Sequence, residues 1–135
     1  MGYRSTVAYY ISFKDKEQRE AFMNTLVQLN DEPIKHVLKY EVLTRVDNCA
    51  LAAYHEDVKW YEGYVDVQAE QRIMELALEW FPDDAAFKFV RIGEDEEDAE
   101  TVVRGENTDA VYDRCYIVRR VELDWSMEAQ DAHDD

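Results

Sequence analysis

The sequence predicts an α+β fold, a ferredoxin-like βαββαβ two-layer sandwich with two helices on one face of an antiparallel sheet and a C-terminal strand extension. Hydrophobic periodicities follow the order strand, helix, strand, strand, helix, strand, which is the split βαβ order. The 135 residues are the size of one domain, and a chain of this length buries a core without disulfide or metal. Apolar residues make up 47% of the chain, too many for a disordered acidic polypeptide.

The first strand and the first helix are predicted from strong local patterns. Residues 3–13 alternate apolar and polar side chains with a period of two. Asp15 is predicted to be a helix N-cap, with Gln18 at capping-box spacing, and the helix is predicted to end near residues 30–31. The apolar stripe predicted for this helix consists of Phe22, Leu26 and Leu29.

A β-hairpin is predicted next. The β-rich runs 40–46 and 49–55 are separated by Asp47 and Asn48, which both tolerate positive φ and suit a tight turn. Residues 34–38, after Pro33, are predicted to be a connector with one short helical turn.

The second helix follows a predicted loop over residues 56–64. Asp66 is predicted to cap this helix, and residues 85–92, which are apolar on both faces, predict a central strand. The apolar stripe of the helix comprises Ile73, Leu76, Ala77 and Trp80.

The C-terminal part is predicted to extend the sheet. A short edge strand is expected over residues 101–104 and a long final strand over residues 110–123. A single domain therefore covers residues 1–125, and the polar, acidic stretch 126–135 is expected to be a disordered tail.

Negative charge is confined to the second half of the chain. Residues 1–55 carry seven basic and seven acidic side chains, whereas residues 56–135 carry eight basic and twenty-four acidic side chains, which accounts for the net charge of −16. Such a field repels nucleic acid and anionic membranes and attracts basic protein surfaces. The expected partner is therefore a basic protein, without direct binding of nucleic acid or membrane.

The densest acidic run is the candidate binding site. It is interpreted either as a solvated loop or as a mimic of nucleic-acid phosphates, which in DNA supply one charge per about 1.7 Å of axis. Asp83 and Asp84 are predicted to extend this surface. Trp60 and Tyr61 are either an exposed anchor for a partner or a lid packed against Trp80 and Phe81 at the end of the sheet. The run contains Glu94, Asp95, Glu96, Glu97, Asp98 and Glu100.

Catalytic and metal-binding motifs are absent from the sequence. The four glycines form no phosphate loop, and Cys49 and His55 would lie about 20 Å apart along one strand. The chain is therefore predicted to be a non-enzyme with no cofactor, with both cysteines as buried thiols in a reducing cytoplasm. Two alternatives stay open: a small metal-assisted hydrolase using clustered carboxylates and His55, and a structural or self-assembling component. The oligomeric state is left open.

Three segments resemble a group of short, uncharacterised proteins from tailed bacteriophages. They are the opening MGYRS, the run EDVKWYE leading into VDVQ, and FVRIGE before the acidic run. The resemblance covers roughly residues 1–95. It implies a phage-encoded protein acting in bacterial cytoplasm, and it implies no reaction, cofactor or catalytic residue. Together with the charge, it suggests a module that inhibits a host nucleic-acid-handling or defence protein, of the anti-CRISPR or anti-restriction type.

Overall fold

The computed structural model describes residues 2–40 and 44–118 and has an α+β architecture. The described part contains a five-stranded antiparallel sheet and three α-helices. Its elements in chain order are β1 (Ser5–Ser12), α1 (Lys16–Gln28), α2 (Glu32–Tyr40), β2 (Thr44–Asp47), β3 (Ala50–Val58), α3 (Val65–Trp80), β4 (Ala86–Gly93), β5 (Ala99–Gly105) and a 3-10 turn at Thr108–Ala110.

The sheet is built around β1, and its strands lie in the order β2-β3-β1-β4-β5. Every neighbouring pair is antiparallel. Ser5 at the start of β1 is opposite Val58 on β3 and Gly93 on β4. The start of β1 and the ends of β3 and β4 therefore lie at the same end of the sheet.

The three described helices pack on one face of the sheet. Their buried side chains form a single apolar cluster with alternate residues of β1, β3 and β4. Full burial of an aliphatic or aromatic side chain of this size contributes about 1.5–3 kcal/mol. The most deeply buried large side chains of the cluster include Tyr9, Ile11, Phe22, Leu26, Ile34 and Ile73.

The predicted N-terminus of α1 is confirmed, and its predicted C-terminal contact is wrong. The Asp15 carboxylate accepts a hydrogen bond from the Gln18 backbone N–H at 2.8 Å, as an N-cap does. Phe22 and Leu26 are buried, but Leu29 is 41% exposed. The helix ends at Gln28, with Leu29 as its C-cap, and the next residue, Asn30, has φ of 56°. Leu29 therefore lies at the end of the helix, where the chain changes direction.

Helix α2 covers the whole of the predicted connector 34–38. Pro33 is compatible with this helix because it lies in the first turn, where a backbone N–H has no intrahelical acceptor. The Asp31 carboxylate accepts from the Ile34 N–H at 3.0 Å, and both Ile34 and Val37 are fully buried. The prediction of one short turn was wrong because Pro33 was interpreted as a helix break.

Helix α3 matches its predicted apolar stripe but not its predicted cap. Tyr64 occupies the N-cap position and makes no capping hydrogen bond with its side chain. Asp66 instead lies within the first turn, where its negative charge is favourable near the helix N-terminus. Ile73, Leu76 and Ala77 are buried as predicted.

The hairpin is present, with its turn one residue later than predicted. Asp47 still pairs with Ala50, so Asn48 and Cys49 form the turn. Strand β3 continues to Val58, past the predicted end at residue 55 and into the predicted loop.

The edge strand and the central strand are confirmed, whereas the described part of the final strand is not a strand. Residues 86–90 of β4 are buried on both faces, and β5 is longer than the predicted 101–104. Residues 111–118 are turns and irregular backbone. At the start of this segment, the Thr108 carbonyl accepts from the backbone N–H groups of Val111 and Tyr112, which closes a turn. The predicted strand residues 119–123 and the predicted tail 126–135 lie outside the described residues.

None of the described helices combines the length and the apolar character needed to cross a bilayer.

Gly105 is the position where the backbone most clearly requires glycine. Its φ is +114°, and an added Cβ would lie 2.5 Å from the Ala85 carbonyl oxygen. We expect Gly105→Ala to lower the free energy of unfolding by about 2 kcal/mol because of this strain. Urea denaturation of the two proteins checks the difference.

Gly63→Ala is the matched control, because nothing lies within 4 Å of the added Cβ. It should change the free energy of unfolding by less than about 0.5 kcal/mol. Equal losses in the free energy of unfolding of the two variants would contradict the positive φ and the close backbone contact described for Gly105.

Candidate functional site

The register of the sheet brings two of the predicted sites to the same end of the molecule. The loop 94–98 follows the end of β4, and the segment 60–64 follows the end of β3. Both strand ends lie opposite Ser5 at the start of β1. We call the surface formed by residues 60–64 and 94–98 the acidic end. Tyr3 connects its two halves: its backbone N–H donates to the Tyr61 hydroxyl at 2.5 Å, and its own hydroxyl donates to Asp98 Oδ2 at 2.6 Å.

Arg91 holds the acidic loop against the sheet. Its guanidinium donates to both oxygens of Asp98, at 2.7 Å and 3.2 Å, and to Glu100 Oε1 at 3.1 Å. The hydrogen bonds from Arg91, and then from Tyr3, lower the pKa of Asp98 below its ordinary value. The same bond with Asp98 is the main factor that raises the pKa of Arg91. Asp98 and Glu100 therefore serve as structural partners of Arg91.

Three carboxylates of the loop project from this frame. Glu94 accepts a hydrogen bond from the Arg4 backbone N–H at 2.9 Å. The side chains of Asp95, Glu96 and Glu97 are exposed and have no hydrogen-bond or ion-pair partner among residues 2–40 and 44–118. Of the six carboxylates predicted to act as phosphate-like charges, Asp98 and Glu100 are paired with Arg91, and the binding role of the six stays a prediction.

Asp83 and Asp84 do not extend the acidic end. They precede β4, whereas the loop 94–98 follows it, and the eight residues of this strand span about 26 Å. The Asp84 carboxylate accepts a hydrogen bond from Gln18 Nε2 at 3.0 Å. The prediction failed because nearness in sequence across a strand means separation by the length of the sheet.

Trp60 packs into the structure and is not an exposed anchor. Its ring lies 5.8 Å from that of Phe89 and stacks on His55 at 6.2 Å. Among the described residues, the Trp60 ring does not make the expected ring contacts with Trp80 and Phe81. These two rings pack against Phe22 instead.

Tyr61 and Tyr64 form the aromatic part of the acidic end. Their rings make an edge-to-face pair with centroids 5.0 Å apart. Tyr61 is half-buried, and Tyr64 is 46% exposed. An exposed tyrosine ring with a rigid neighbour is a common anchor in protein interfaces, so the sequence prediction for Tyr61 extends to Tyr64 rather than to Trp60.

A buried polar cluster beneath the acidic end was missed by the sequence reasoning. Glu70 on α3 is 3% exposed. Its Oε1 accepts from the Tyr9 hydroxyl at 2.7 Å and lies 2.7 Å from His55 Nε2. The sequence patterns associate His55 only with Cys49 or with the clustered carboxylates of a metal-assisted hydrolase. The available signal was the position of Glu70, three residues before Ile73 and seven before Ala77 on the buried helix face.

The geometry of this cluster favours a structural role. The adjoining cavity, which touches His55, Trp60 and Glu70, has a volume of about 110 Å³. Substrate pockets are typically about 300–1,000 Å³. The cluster therefore satisfies polar groups that the packing of α3 on the sheet has buried.

A metal centre finds no support in the described residues. Within residues 2–40 and 44–118, no group of three or more His, Cys, Asp or Glu side chains is arranged to hold a metal ion. The side chain of Cys115 is partly buried, and this burial is the main cause that raises the pKa of its thiol. The alternative of a metal-assisted hydrolase thus lacks a ligand set in this part of the chain.

The chain matches no protein-family model, no curated protein and no solved structure. The resemblance to tailed-bacteriophage proteins therefore stays a prediction that rests on the three sequence segments. Functional inference for this protein depends on the acidic end itself.

The buried cluster should contribute to stability through Glu70. Glu70→Ala leaves the Tyr9 hydroxyl and the His55 ring nitrogen without this acceptor and also creates a cavity. We expect the free energy of unfolding to fall by about 3 kcal/mol, measured by denaturant titration. Glu75→Ala, on the exposed side of the same helix, should have an effect within about 0.5 kcal/mol. Similar losses in the two variants would contradict the buried network.

The contact between Arg91 and Asp98 should make stability depend on pH in the acid range. Because the pKa of Asp98 is lowered from 3.8 in the folded protein, its ionised form stabilises the fold above that value. This contribution is lost as the pH falls from 3.8 towards the folded value. Asp98→Asn should therefore be less stable than the wild type at pH 7, with a difference that shrinks below about pH 4.

Urea denaturation at a series of pH values measures this difference. Glu97→Gln is the control, because Glu97 has no partner among the described residues and its loss should leave stability unchanged at every pH. A gap between Asp98→Asn and the wild type that does not vary with pH would refute the role assigned to Asp98.

Proposed function

We propose that this protein is a phage-encoded binding module that inhibits or modulates a host nucleic-acid-handling or defence protein, without catalysing a reaction. The observation that carries the proposal is the acidic end. There, Asp95, Glu96 and Glu97, which have no partner among residues 2–40 and 44–118, project from a loop that Arg91 holds in place, at the same end of the sheet as the exposed ring of Tyr64.

The charge pattern supports a basic partner. Clustered carboxylates raise the local concentration of cationic surfaces and speed their encounter, and this attraction weakens with salt. A lysine- or arginine-rich groove would contact the three projecting carboxylates as it contacts the phosphates of a nucleic-acid backbone. Asp98 and Glu100 contribute order to the loop rather than free charge, so the mimicry is confined to a short stretch.

The pair of Tyr61 and Tyr64 supplies an apolar contact area, which the charged loop lacks. Rim charges act mainly on the rate of association, whereas a desolvated aromatic anchor slows dissociation. The exposed ring of Tyr64 packs edge-to-face on Tyr61, and Tyr61 is connected to the acidic loop through Tyr3, which bonds both Tyr61 and Asp98. A basic groove with an apolar pocket at one margin therefore fits this end of the molecule.

We also propose the ferredoxin-like class for the fold. It is supported by the strand order β2-β3-β1-β4 with antiparallel neighbours and by helices on one face. Helix α2 and strand β5 are then additions to the βαββαβ unit. The bacterial cytoplasm is the compartment in which a host enzyme of the proposed kind would be met.

Affinity capture with matched charge variants tests the proposed function. The wild type, immobilised in bacterial lysate, should retain a nucleic-acid-handling or defence protein at low salt and release it at high salt. The variant Asp95→Asn, Glu96→Gln, Glu97→Gln should retain about tenfold less of that protein, since the attraction that steers encounter is removed. Mass spectrometry identifies and quantifies the retained protein.

The control variant carries the same change of charge elsewhere. Glu75→Gln, Glu79→Gln and Asp83→Asn alter three exposed acids outside the acidic end and should retain the wild-type amount. The proposed function would be overturned by a wild type that retains no such protein at low salt, or by equal losses in both triple variants.

A further inference from the structure

Strand β5 is one of the two outer strands of the described sheet. Its inner side pairs with β4 from Ala99 opposite Ile92 to Gly105 opposite Ala86. No other described strand pairs with its outer side. Alternate backbone N–H and C=O groups of a strand point to opposite sides, so those on the outer side can pair with a further strand. An edge of this length is a template for strand addition.

The charges of β5 are self-complementary about Val102. Glu100 lies two residues before Val102, and Arg104 lies two residues after it. If two copies pair antiparallel with Val102 opposite Val102, each Glu100 is directly opposite the Arg104 of the other copy. Directly opposite residues share a face, with Cβ atoms about 5 Å apart, which is the distance at which opposite charges attract across strands.

Arg104 is available for such a contact. Its guanidinium lies 5.9 Å from the centroid of the Phe87 ring, and within residues 2–40 and 44–118 it has no carboxylate at ion-pair distance. Glu100 is half exposed, and only its Oε1 is bonded to Arg91. A second cation can therefore approach its other oxygen.

A groove of mixed polar and apolar lining runs along the helix-bearing side of this edge. It has a volume of about 200 Å³ and lies between α3 and the strands β4 and β5. Met74, Phe89 and Val102 form part of its apolar lining, Gln71 and Glu75 line it from α3, and Glu100 and Arg104 line it from β5. A strand added to β5 would place its own Val102 beside this groove and shield it from water.

We propose that two copies of this chain associate through β5, paired antiparallel about Val102, to form one continuous sheet across a two-fold axis. The β5 segment has no net charge, since Glu100 and Arg104 cancel, so this edge suits self-association in a chain of charge −16. Because the loop 94–98 directly precedes β5, the antiparallel arrangement places the two acidic ends at opposite ends of the joined sheet. The dimer therefore carries two separate acidic ends, and this arrangement does not depend on what the acidic ends bind.

Charge reversal tests this pairing directly. The full chain is analysed by sedimentation equilibrium over a series of concentrations as wild type, Arg104→Glu, Glu100→Arg and the double variant. The wild type should approach twice the 16.0 kDa mass of one chain. Each single reversal creates two like-charge contacts and should raise the dimer dissociation constant by about tenfold or more. The double variant restores opposite charges across the strands and should have a lower dissociation constant than Glu100→Arg, with which it shares the loss of the contact between Arg91 and Glu100.

Two controls separate pairing from general effects of charge and folding. Arg72→Glu makes the same change of charge as Arg104→Glu on the exposed side of α3 and should dimerise as the wild type does. Circular dichroism melting confirms that each variant is folded, and Arg104→Glu leaves the contact between Arg91 and Glu100 intact.

Three outcomes would overturn the proposal. They are a wild type that stays monomeric throughout the concentration series, single reversals that dimerise as the wild type does, and a double variant that fails to regain association. None of these bears on capture of a host protein by the acidic end, so the two proposals fail separately.

Discussion

The double pairing of β1 is the constraint on which the other features depend. With β3 on one side and β4 on the other, its register fixes which residues face the helices and which loops meet at each end. A slip by one residue would turn Tyr9 away from Glu70 and reverse the faces of the whole strand. It would also separate Tyr3 from Asp98 and Tyr61. The acidic end therefore exists as one surface because the central strand is held from both sides.

Negative charge at this end is divided between two tasks. Arg91 pairs with Asp98 and Glu100 and thereby fixes the course of the loop. The same pairing neutralises part of the negative charge of the loop. Asp95, Glu96 and Glu97 then repel one another in a defined place instead of spreading over a mobile segment. A partner that supplies lysine or arginine relieves this repulsion. The order of the loop thus comes from internal pairing, and its attraction for cations comes from the residues left out of that pairing.

Sequence reasoning succeeded where the signal is local and failed where topology decides. The Asp15 cap, the two-sided burial of β4 and the hairpin all follow from neighbouring residues. Pro33 was misread because a proline ends a helix or begins one, depending on residues downstream. The separation of Asp83 from the acidic loop required the strand direction. The contact between His55 and Glu70 required the packing of α3 on the sheet, and no spacing along the chain encodes it.

The central claim is that cations are drawn to the acidic end more than to the other acidic surfaces. Amide chemical shifts of the labelled protein, recorded while unlabelled polylysine is added, measure this most directly. We expect the largest changes at residues 94–98 and 61–64, with the exposed side of α3 changing little, and all changes should diminish with salt. Uniform changes at every exposed Asp and Glu would contradict the claim and would leave the charge with a role in solubility alone.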